Sequence, residues 1–296
     1  MRYSFFKGCF LPVRLPHIEK VSVSVLGELG VELREARGFS CCPEPVGFLS
    51  NDKLAGMAIA ARNISLAEEE GLDIITLCNG CTYSLRHVNH ALKADEEARE
   101  RVNEVLSETD HQFKGTVEVK HFASVLKDDL GLDRVVSKVE KPIEGLIVAG
   151  HTGCHIVSPP EIMAFDDPFD PQLLDTLDSA LGAEPADFDL KTLCCGWTLT
   201  NYGDKAGADK LLGAKLEAMH RAGSDCISVI CPQCFYQLDM GQLLASRRLG
   251  LEFSIPVLFY LQLLGLTMGY SLEDIGLKRH RTKSSGFQEK ILEVLG

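Results

Sequence analysis

Residues 73–83 have the sequence DIITLCNGCTY, and residues 226–236 have the sequence CISVICPQCFY. In both stretches an apolar, β-branched run ends directly at a C-x-x-C motif, and sequence typical of a helix follows. The run predicts a buried strand, and the motif lies at the carboxyl end of that strand, where open parallel α/β sheets form their sites. The chain of 296 residues therefore contains the same strand–motif–helix unit once in each half.

The eleven cysteines extend this correspondence along the chain. Ten of them form two sets of five with the same order, Cys9, Cys41, Cys42, Cys78 and Cys81 in the first half and Cys154, Cys194, Cys195, Cys231 and Cys234 in the second. The first members differ by 145 positions and the other four by 153, so one duplication with one short insertion explains every spacing. Gly8 and Gly153 precede the first cysteines, and Tyr83 and Tyr236 also differ by 153 positions.

The adjacent pairs, Cys41-Cys42 and Cys194-Cys195, indicate ligands rather than disulfides. Neighbouring Cα atoms lie about 3.8 Å apart, whereas a disulfide usually needs about 4.4–6.8 Å. In a chain that is not exported, many cysteines more often bind metal or perform redox chemistry than form structural disulfides. Cys226 lies outside both sets, and we predict that it is a small buried hydrophobic side chain.

Strand and helix patterns alternate in both halves, which predicts an α/β fold. Long helices are expected at residues 52–71, with Asn51 or Asp52 as cap and Gly71 as stop, and at residues 204–222, with Gly223 as stop. The expected strands are Arg2–Lys7, Val31–Glu35, Asp73–Leu77 and Val117–His121, then Gly145–Ala149, Ile227–Ile230 and Pro256–Leu258. We predict two tandem duplicated domains, residues 1–143 and 144–296, each a small, mostly parallel sheet flanked by helices and related by pseudo-twofold symmetry. Each half is long enough to bury a core of its own.

Five thiols in each half are an unusual ligand set. Structural zinc takes four ligands, and zinc ribbons use two C-x-x-C pairs where each half here has one. Cubane iron–sulfur clusters also take four cysteines. The spacing favours iron–sulfur chemistry and leaves two arrangements open, a cluster of unusual shape or four ligands with a reactive fifth thiol. A non-catalytic zinc scaffold and labile thiol chemistry are the alternatives.

The composition argues against several classes of function. A net charge of −12 disfavours nucleic acid, which is bound mainly through Lys and Arg. No glycine-rich nucleotide-binding loop occurs, so reducing equivalents are expected from a partner. The N-terminus does not resemble a signal peptide, and the apolar segment at residues 255–270 is shorter than the roughly 20 residues of a membrane helix. We therefore expect a cytoplasmic protein without a membrane span.

The repeated cysteine pattern resembles the cysteine-rich CCG domain family, and two such domains in one chain resemble the B subunit of the heterodisulfide reductases of methanogens. The motifs that carry the resemblance are Lys7-Gly8-Cys9, Leu77-Cys78-Asn79-Gly80-Cys81, His151-Thr152-Gly153-Cys154-His155, Cys194-Cys195-Gly196 and Cys231-Pro232-Gln233-Cys234. The resemblance implies two noncubane [4Fe-4S] clusters, one on each set of five cysteines. It implies that the mixed disulfide of coenzyme M and coenzyme B is reduced to two thiols between them.

The resemblance also implies partners. Electrons would arrive through the iron–sulfur C subunit from the flavin-containing A subunit of the heterodisulfide reductase, in a complex with a hydrogenase or formate dehydrogenase module. Family members that transfer electrons in lactate, glycolate, thiol:fumarate or sulfur-oxidising systems are alternatives, although the chain lacks the ferredoxin-like cysteine runs usual in the first three. One departure from the family pattern is Pro43, where the second pair has Gly196. Proline offers no N–H, so hydrogen bonding to the first cluster could differ.

Three further side chains are candidates for the reaction. His155, next to Cys154, is the candidate proton donor to a departing thiolate, since histidine ordinarily exchanges protons near neutral pH. For His155, His151 and His17 the alternative is a hydrogen bond that orients a loop. Lys7 and Arg14, near Cys9, are candidate anchors for the anionic groups of the substrate. A disulfide takes two electrons, and two clusters facing one pocket would each supply one.

Overall fold

The computed structural model describes all residues, 1–296, and contains two four-stranded sheets, one in each half. The strands are β1 Arg2–Phe6, β2 Glu32–Arg34, β3 Ile74–Thr76, β4 Val119–His121, β5 Ile147–His151, β6 Glu184–Pro185, β7 Cys226–Val229 and β8 Val257–Phe259. The sheet orders are β2-β1-β3-β4 and β6-β5-β7-β8, and all neighbouring strands are parallel. The predicted α/β class with two equivalent sheets is confirmed.

Helices connect the strands and cover the sheets. They are α1 Phe10–Arg14, α2 Pro16–Glu28, α3 Phe48–Asn51, α4 Lys53–Glu70, α5 Asn79–Ala94, α6 Glu96–Ser107, α7 Phe122–Ser124, α8 Leu132–Val136, α9 Pro160–Met163, α10 Leu173–Ala180, α11 Trp197–Asn201, α12 Lys205–Arg221, α13 Pro232–Tyr236, α14 Gln242–Leu249, α15 Tyr260–Thr267 and α16 Ser285–Leu295. Two π-helical segments, Val125–Leu130 and Gln237–Gly241, follow α7 and α13, and a 3₁₀ turn spans Leu277–Arg279.

Both predicted long helices are present, and each begins at an aspartate cap. The Asp52 carboxylate accepts a hydrogen bond from the Ala55 N–H, and Asp204 accepts one from the Gly207 N–H. Such caps satisfy backbone donors that the first helical turn leaves free. Gly71 ends α4 with a φ of 65°, a left-handed conformation that suits glycine.

The apolar segment at residues 255–270 contains a helix, α15, that the sequence pattern did not predict. All eight residues of α15 are buried, so the apolar segment lacks the one-sided periodicity that marks a surface helix. The helix at the first C-x-x-C includes part of the motif itself, since it begins at Asn79 and Cys78 is the residue before its first turn. No helix is both long enough and apolar enough to cross a bilayer.

The halves pack on each other through equivalent helices. The first helix of each half lies against the C-x-x-C helix of the other half, as α1 against α13 and α9 against α5. In the same way α2 packs on α15, and α10 packs on α8. This reciprocity is what a pseudo-twofold axis between duplicated units produces. The sequence predicts a separate core for each half, whereas the buried side chains form one continuous cluster because α2 and α15 join across the boundary.

Candidate metal centre

Both C-x-x-C motifs lie at the carboxyl edges of the sheets, as predicted. β3 leads into Cys78 and β7 into Cys231, and each cysteine immediately precedes the first residue of a helix. Cys9 and Cys154 follow β1 and β5, the strands beside β3 and β7. Parallel strands end at the same edge, so the sequence order alone brings the members of each set together.

The ten sulfurs form one continuous line of side-chain contacts. Its order is Cys9, Cys41, Cys42, Cys81, Cys78, Cys231, Cys234, Cys195, Cys194 and Cys154. Equivalent cysteines of the two halves occupy equivalent places on either side of the midpoint of the line. The midpoint is the contact between Cys78 of the first half and Cys231 of the second. The pseudo-twofold axis therefore passes between these two equivalent thiols, and the two sets of five form one site.

The cysteines are thiols and not disulfides. All eleven are free, and the Cys195 and Cys234 Sγ atoms lie 3.5 Å apart, well beyond the S–S bond length of about 2.05 Å. Cys226 takes no part in the line of contacts and is completely buried in β7, as predicted for a small hydrophobic side chain. Its burial raises the pKa of the thiol well above the ordinary value.

Glycine is required beside the first cysteine of each set. Gly8 has a φ of 65° and Gly153 a φ of 86°, conformations that side chains rarely adopt. A Cβ atom on Gly8 would lie 2.9 Å from the Cys81 sulfur, and one on Gly153 would lie 3.5 Å from the Cys234 sulfur. The backbone thus approaches the C-x-x-C sulfurs in the same way in both halves.

The two adjacent pairs differ in their hydrogen bonding, as Pro43 predicts. The Gly196 N–H donates to the Cys194 sulfur over 3.4 Å, and the first half has proline at the equivalent position. The pKa of Cys194 is lowered to about 2 because the Cys154 and Cys195 thiols donate to it, with the Gly196 N–H as a further donor. The pKa of Cys41 is raised instead, chiefly through its contact with Cys42. The two halves are therefore chemically unequal at this position.

A cavity of about 470 Å³, here called the cysteine cavity, opens at the first set. All five cysteines of that set line it, and so do Trp197 and Tyr236 from the second half. Phe10, Trp197 and Tyr236 contact one another edge to face, with ring centroids 5.3–5.7 Å apart. The second set lines a smaller cavity of about 20 Å³ that shares Glu44, Pro45, Gly80, Trp197 and Gln233 with the first. The volume of the cysteine cavity suits a small molecule.

His155 lies at the second set and not in the cysteine cavity. Its Nδ1 atom is 3.5 Å from the Cys154 sulfur, and its ring packs edge to face on Tyr83 with centroids 5.2 Å apart. In the first half Phe10 packs in the same way on Tyr236. Residue 10 and residue 155 both follow the first cysteine of their set, so the duplication places a phenyl ring at one end and an imidazole at the other.

Lys7 and Arg14 both line the cysteine cavity, but only Lys7 forms ion pairs. The Lys7 ammonium is held by Glu19 at 2.6 Å and by Glu35 at 2.5 Å. Arg14 is exposed and has no ion-pair partner, although the chain is acidic. Of the two predicted anchors, only Arg14 has a charge free for an incoming anion.

Two further side chains have a place at the site: His151, already a candidate from the sequence, and Lys215, which escaped the sequence prediction. His151, at the end of β5, is buried with both ring nitrogens unpartnered, and a ring nitrogen lies within 4.8 Å of the Cys195 and Cys234 sulfurs. Lys215 is completely buried beside the second set and donates to the Leu190 and Lys191 carbonyls at 2.9 and 3.0 Å. Burial lowers the pKa of Lys215 to about 8 and that of His151 to about 3.

The duplication could have identified Lys215 as a site residue, because the equivalent position in the first half is also a cation. Arg62 lies 153 positions earlier and donates to the Gly38 carbonyl at 2.9 Å, and Gly38 is the equivalent of Lys191. Both halves therefore have a cation on the helix after the cysteine pair that binds the backbone before it. His151 had no such signal, because its equivalent is Phe6.

The donor set fits thiolate-bound metal. Every side chain in the line of contacts is cysteine, a soft ligand that selects iron–sulfur clusters, zinc or copper. The buried cation Lys215 favours the negative charge that a thiolate-bound cluster brings, since charges in a protein interior need a partner. Ten thiols exceed what one zinc ion uses, so the residues present fit iron–sulfur clusters better.

Comparison with known proteins places this site in a class. The sequence profile of the cysteine-rich domain named CCG matches residues 3–86 and 148–239, once in each half. The chain belongs to the cysteine-rich CCG domain family, as a protein with two such domains. Within the family it is similar over nearly its whole length to the B subunits of heterodisulfide reductases.

Three relatives illustrate the range of that similarity. The B subunit of the "Ferredoxin/F(420)H(2)-dependent CoB-CoM heterodisulfide reductase" of Methanosarcina acetivorans is 39% identical, across 99% of this chain and 98% of the relative. The B subunit of the "Ferredoxin:CoB-CoM heterodisulfide reductase" of Methanosarcina mazei is 37% identical, across 99% and 98%. The "8-methylmenaquinol:fumarate reductase membrane anchor subunit" of Wolinella succinogenes is 31% identical, across 94% and 96%.

A solved structure shows the same fold. The crystal structure of a hypothetical protein from Helicobacter pylori superposes with a TM-score of 0.75 at 15% sequence identity. The superposition covers 96% of this chain and 52% of that one, so this chain spans about half the length of that protein. At this identity the likeness concerns the fold alone.

Proposed function

We propose that this chain is the catalytic subunit of a heterodisulfide reductase. In this proposal it reduces the mixed disulfide of coenzyme M and coenzyme B to two thiols. Two noncubane [4Fe-4S] clusters would be held by Cys9, Cys41, Cys42, Cys78 and Cys81, and by Cys154, Cys194, Cys195, Cys231 and Cys234. The relatives at 37–39% identity carry this activity in their names and support the assignment.

The observation that carries the proposal is the single line of ten thiols. The two sets are not separate sites at opposite ends of the molecule, because Cys78 of the first set contacts Cys231 of the second. A disulfide has two sulfur atoms and takes two electrons and two protons when it opens into two thiols. A site with two equivalent halves that meet on a pseudo-twofold axis matches that symmetry. The bound clusters would supply the electrons, one from each half.

The protein's own side chains have distinct roles in this proposal. The Phe10, Trp197 and Tyr236 rings would exclude water from the cysteine cavity and pack against the carbon atoms of the substrate. His155 would deliver a proton to the thiolate released at the second set, since its Nδ1 atom already lies 3.5 Å from Cys154. The equivalent Phe10 has no proton to give, so the two thiolates would be protonated by different routes.

The proposal extends to the assembly. The chain has no nucleotide-binding loop, so we place it with the iron–sulfur C subunit and the flavin-containing A subunit of a heterodisulfide reductase, next to a hydrogenase or formate dehydrogenase module, in the cytoplasm. Residues 1–143 and 144–296 would be its two domains. The continuous core supports the proposal that the two domains fold as one body.

A second candidate is an electron-transfer subunit of a quinol:fumarate reductase type. The relative from Wolinella succinogenes, at 31% identity over 278 residues, favours it. Here the line of thiols would hold clusters that relay single electrons, and the cysteine cavity would bind no disulfide.

One experiment separates the two candidates. The purified chain, reconstituted with iron and sulfide under anaerobic conditions, is assayed with a reduced viologen dye and the coenzyme M–coenzyme B disulfide. The proposal predicts release of two thiols per disulfide with the dye and no turnover with a nicotinamide. A chain that holds iron and oxidises no dye with the disulfide, alone or with its partner subunits, contradicts the proposed reaction. The variant Cys226→Ala serves as a control, because Cys226 lies outside the line of thiols.

A further inference from the structure

The side chain of Lys215, on α12, is buried without an acidic partner. Its relative exposure is 0%, and its ammonium forms no ion pair with an aspartate or a glutamate. The ammonium has three donors, and two of them donate to the Leu190 and Lys191 carbonyls at 2.9 and 3.0 Å. These carbonyls carry no net charge. Because a buried charge is costly unless an opposite charge lies near it, Lys215 needs a counter-charge from another group.

The thiols of the second set are the groups that can supply this counter-charge. Burial lowers the pKa of Lys215, and thiolates at Cys195, Cys234, Cys194 and Cys154 oppose this by favouring the ammonium form. These are four of the five cysteines of the set, so the ammonium lies within electrostatic range of most of it. Metal-bound cysteines are thiolates, and a cluster at the second set would therefore bring the negative charge that Lys215 lacks.

The first set has no counterpart to this buried cation. Lys215 is the only lysine or arginine of the chain that is buried. Arg62, its equivalent, is only partly buried, and Arg14 is exposed, so water screens both charges. Lys7 is paired with Glu19 and Glu35. The duplication has therefore left an unpaired, buried positive charge at one set of thiols and none at the other.

The surroundings of the second set strengthen the effect of this charge. The cavity at the second set measures about 20 Å³, against about 470 Å³ for the cysteine cavity, so less water reaches it. Exclusion of water alone would oppose added negative charge, but it also strengthens the attraction of a nearby cation, because the effective dielectric constant is lower. The Gly196 N–H donates to the Cys194 sulfur over 3.4 Å, whereas Pro43 offers no N–H to the first pair. Both the ammonium and this N–H stabilise negative charge at the second set.

We propose that Lys215 raises the reduction potential of the cluster at the second set, so that the first electron to enter the chain goes to the second set. The potential of an iron–sulfur cluster depends on its net charge, on hydrogen bonds to its sulfurs and on its exposure to solvent. Reduction adds one electron and one negative charge, forms and breaks no bond, and takes the electron from a one-electron donor such as a reduced viologen. A buried cation stabilises the reduced form more than the oxidised form. The inference rests on the clusters of the proposed function but not on the identity of the substrate.

The order of reduction matters for a disulfide, which needs two electrons to open into two thiols. A single electron held at the second set lies away from the large cysteine cavity, which opens at the first set. It would wait at the enclosed end of the line of thiols until the second electron arrives.

The inference is tested by redox titration of the reconstituted chain, which needs no substrate. Cys42→Ser together with Cys81→Ser empties the first set, so that electron paramagnetic resonance reports the cluster of the second set alone. In this background Lys215→Met should lower the equilibrium constant for reduction at least about tenfold, which is about 59 mV for one electron. Lys215→Arg keeps the charge and should keep the potential. Iron content and circular dichroism show whether each variant is loaded and folded.

Arg62→Met is the matched control, since it removes the equivalent cation of the first half. In a chain whose second set is emptied by Cys195→Ser together with Cys234→Ser, it should change the potential of the first-set cluster far less, because water screens Arg62. The inference is overturned if Lys215→Met leaves the potential unchanged, or if Lys215→Arg lowers it as much. It is also overturned if Arg62→Met has an effect of the same size.

A comparison with Lys215 intact keeps the test decisive even if Lys215→Met does not fold. Measured in the two emptied backgrounds, the second-set cluster should be reduced at a potential at least about 59 mV above that of the first-set cluster. An equal or reversed order overturns the inference, whether or not the chain reduces a disulfide. The expected order in a chain that reduces no disulfide supports the inference and contradicts only the proposed reaction.

Discussion

Replacing Gly153 by alanine tests whether the hydrogen bond from Asn79 to the Thr152 carbonyl stabilises the contact between the two halves beside the thiols. Gly153 has a φ of 86°, and a Cβ atom there would lie 2.5 Å from the Asn79 Nδ2 atom. Asn79, within the first C-x-x-C motif, donates from that same nitrogen to the Thr152 carbonyl over 2.7 Å. The new methyl group therefore meets the side chain that ties the first half to the second, directly beside the Cys234 sulfur.

The size of the effect follows from two contributions. A left-handed backbone at alanine costs about 1–2 kcal/mol. Displacing the buried Asn79 amide breaks its hydrogen bond, which costs about 1–3 kcal/mol more. Gly223→Ala is the matched control, since Gly223 has a φ of 72° and nothing within 4 Å of the new Cβ, so only the backbone cost applies.

Urea unfolding of the reduced, metal-free chain, followed by circular dichroism, measures both variants. We expect Gly153→Ala to lose about 1–3 kcal/mol more than Gly223→Ala. A double-mutant cycle with Asn79→Ala sharpens the test, because without the amide the methyl group has less to displace and the excess cost should shrink. The reasoning is refuted if the two glycine variants lose the same free energy of unfolding. It is also refuted if the extra loss of Gly153→Ala is unchanged in the Asn79→Ala background.

Three further predictions follow from the site. Cys195→Ser should lower the iron content by about half, measured colorimetrically after anaerobic reconstitution, while Cys226→Ala should keep it unchanged; an equal loss in both would disprove the two sets of five. His155→Phe, which copies the first half, should lower kcat by about 10²–10⁴-fold at constant iron content, and an unaltered kcat would exclude His155 as proton donor. Burial lowers the pKa of His121 from 6.5 to about 4, so the unfolded chain takes up this proton first as the pH falls. The free energy of unfolding should therefore drop between pH 6.5 and 4, by about 2 kcal/mol at pH 5 from this residue, and less in His121→Phe; identical pH profiles would contradict this assignment.

The sequence by itself determined the duplication and the two sets of five cysteines. Cysteine positions that repeat at 145 and 153 residues are a one-dimensional signal, and no packing is needed to read it. The strands before Cys78 and Cys231 were also predictable, because a short β-branched run is a local pattern. Parallel strands end at one edge, and this rule places each set of five together without knowledge of the packing. Pro43 predicted a missing N–H donor in the same way, since that depends on one residue.

The tertiary structure decided how the halves meet. Cys78 contacts Cys231 where the two halves meet, and the halves also pack through α2 and α15. Because α15 is buried all round, its sequence carries no pattern that predicts which face meets the other half. The convergence of Arg14 with Arg279 and Arg281 on one cavity also depends on how the halves meet. The burial of Lys215 depends on packing within the second half, where it binds the Leu190 and Lys191 carbonyls. Residues far apart in the chain become neighbours only through side-chain packing over many contacts, which local periodicity does not encode. The two sets of cysteines were therefore readable from spacing, whereas the single line of thiols exists only in the folded molecule.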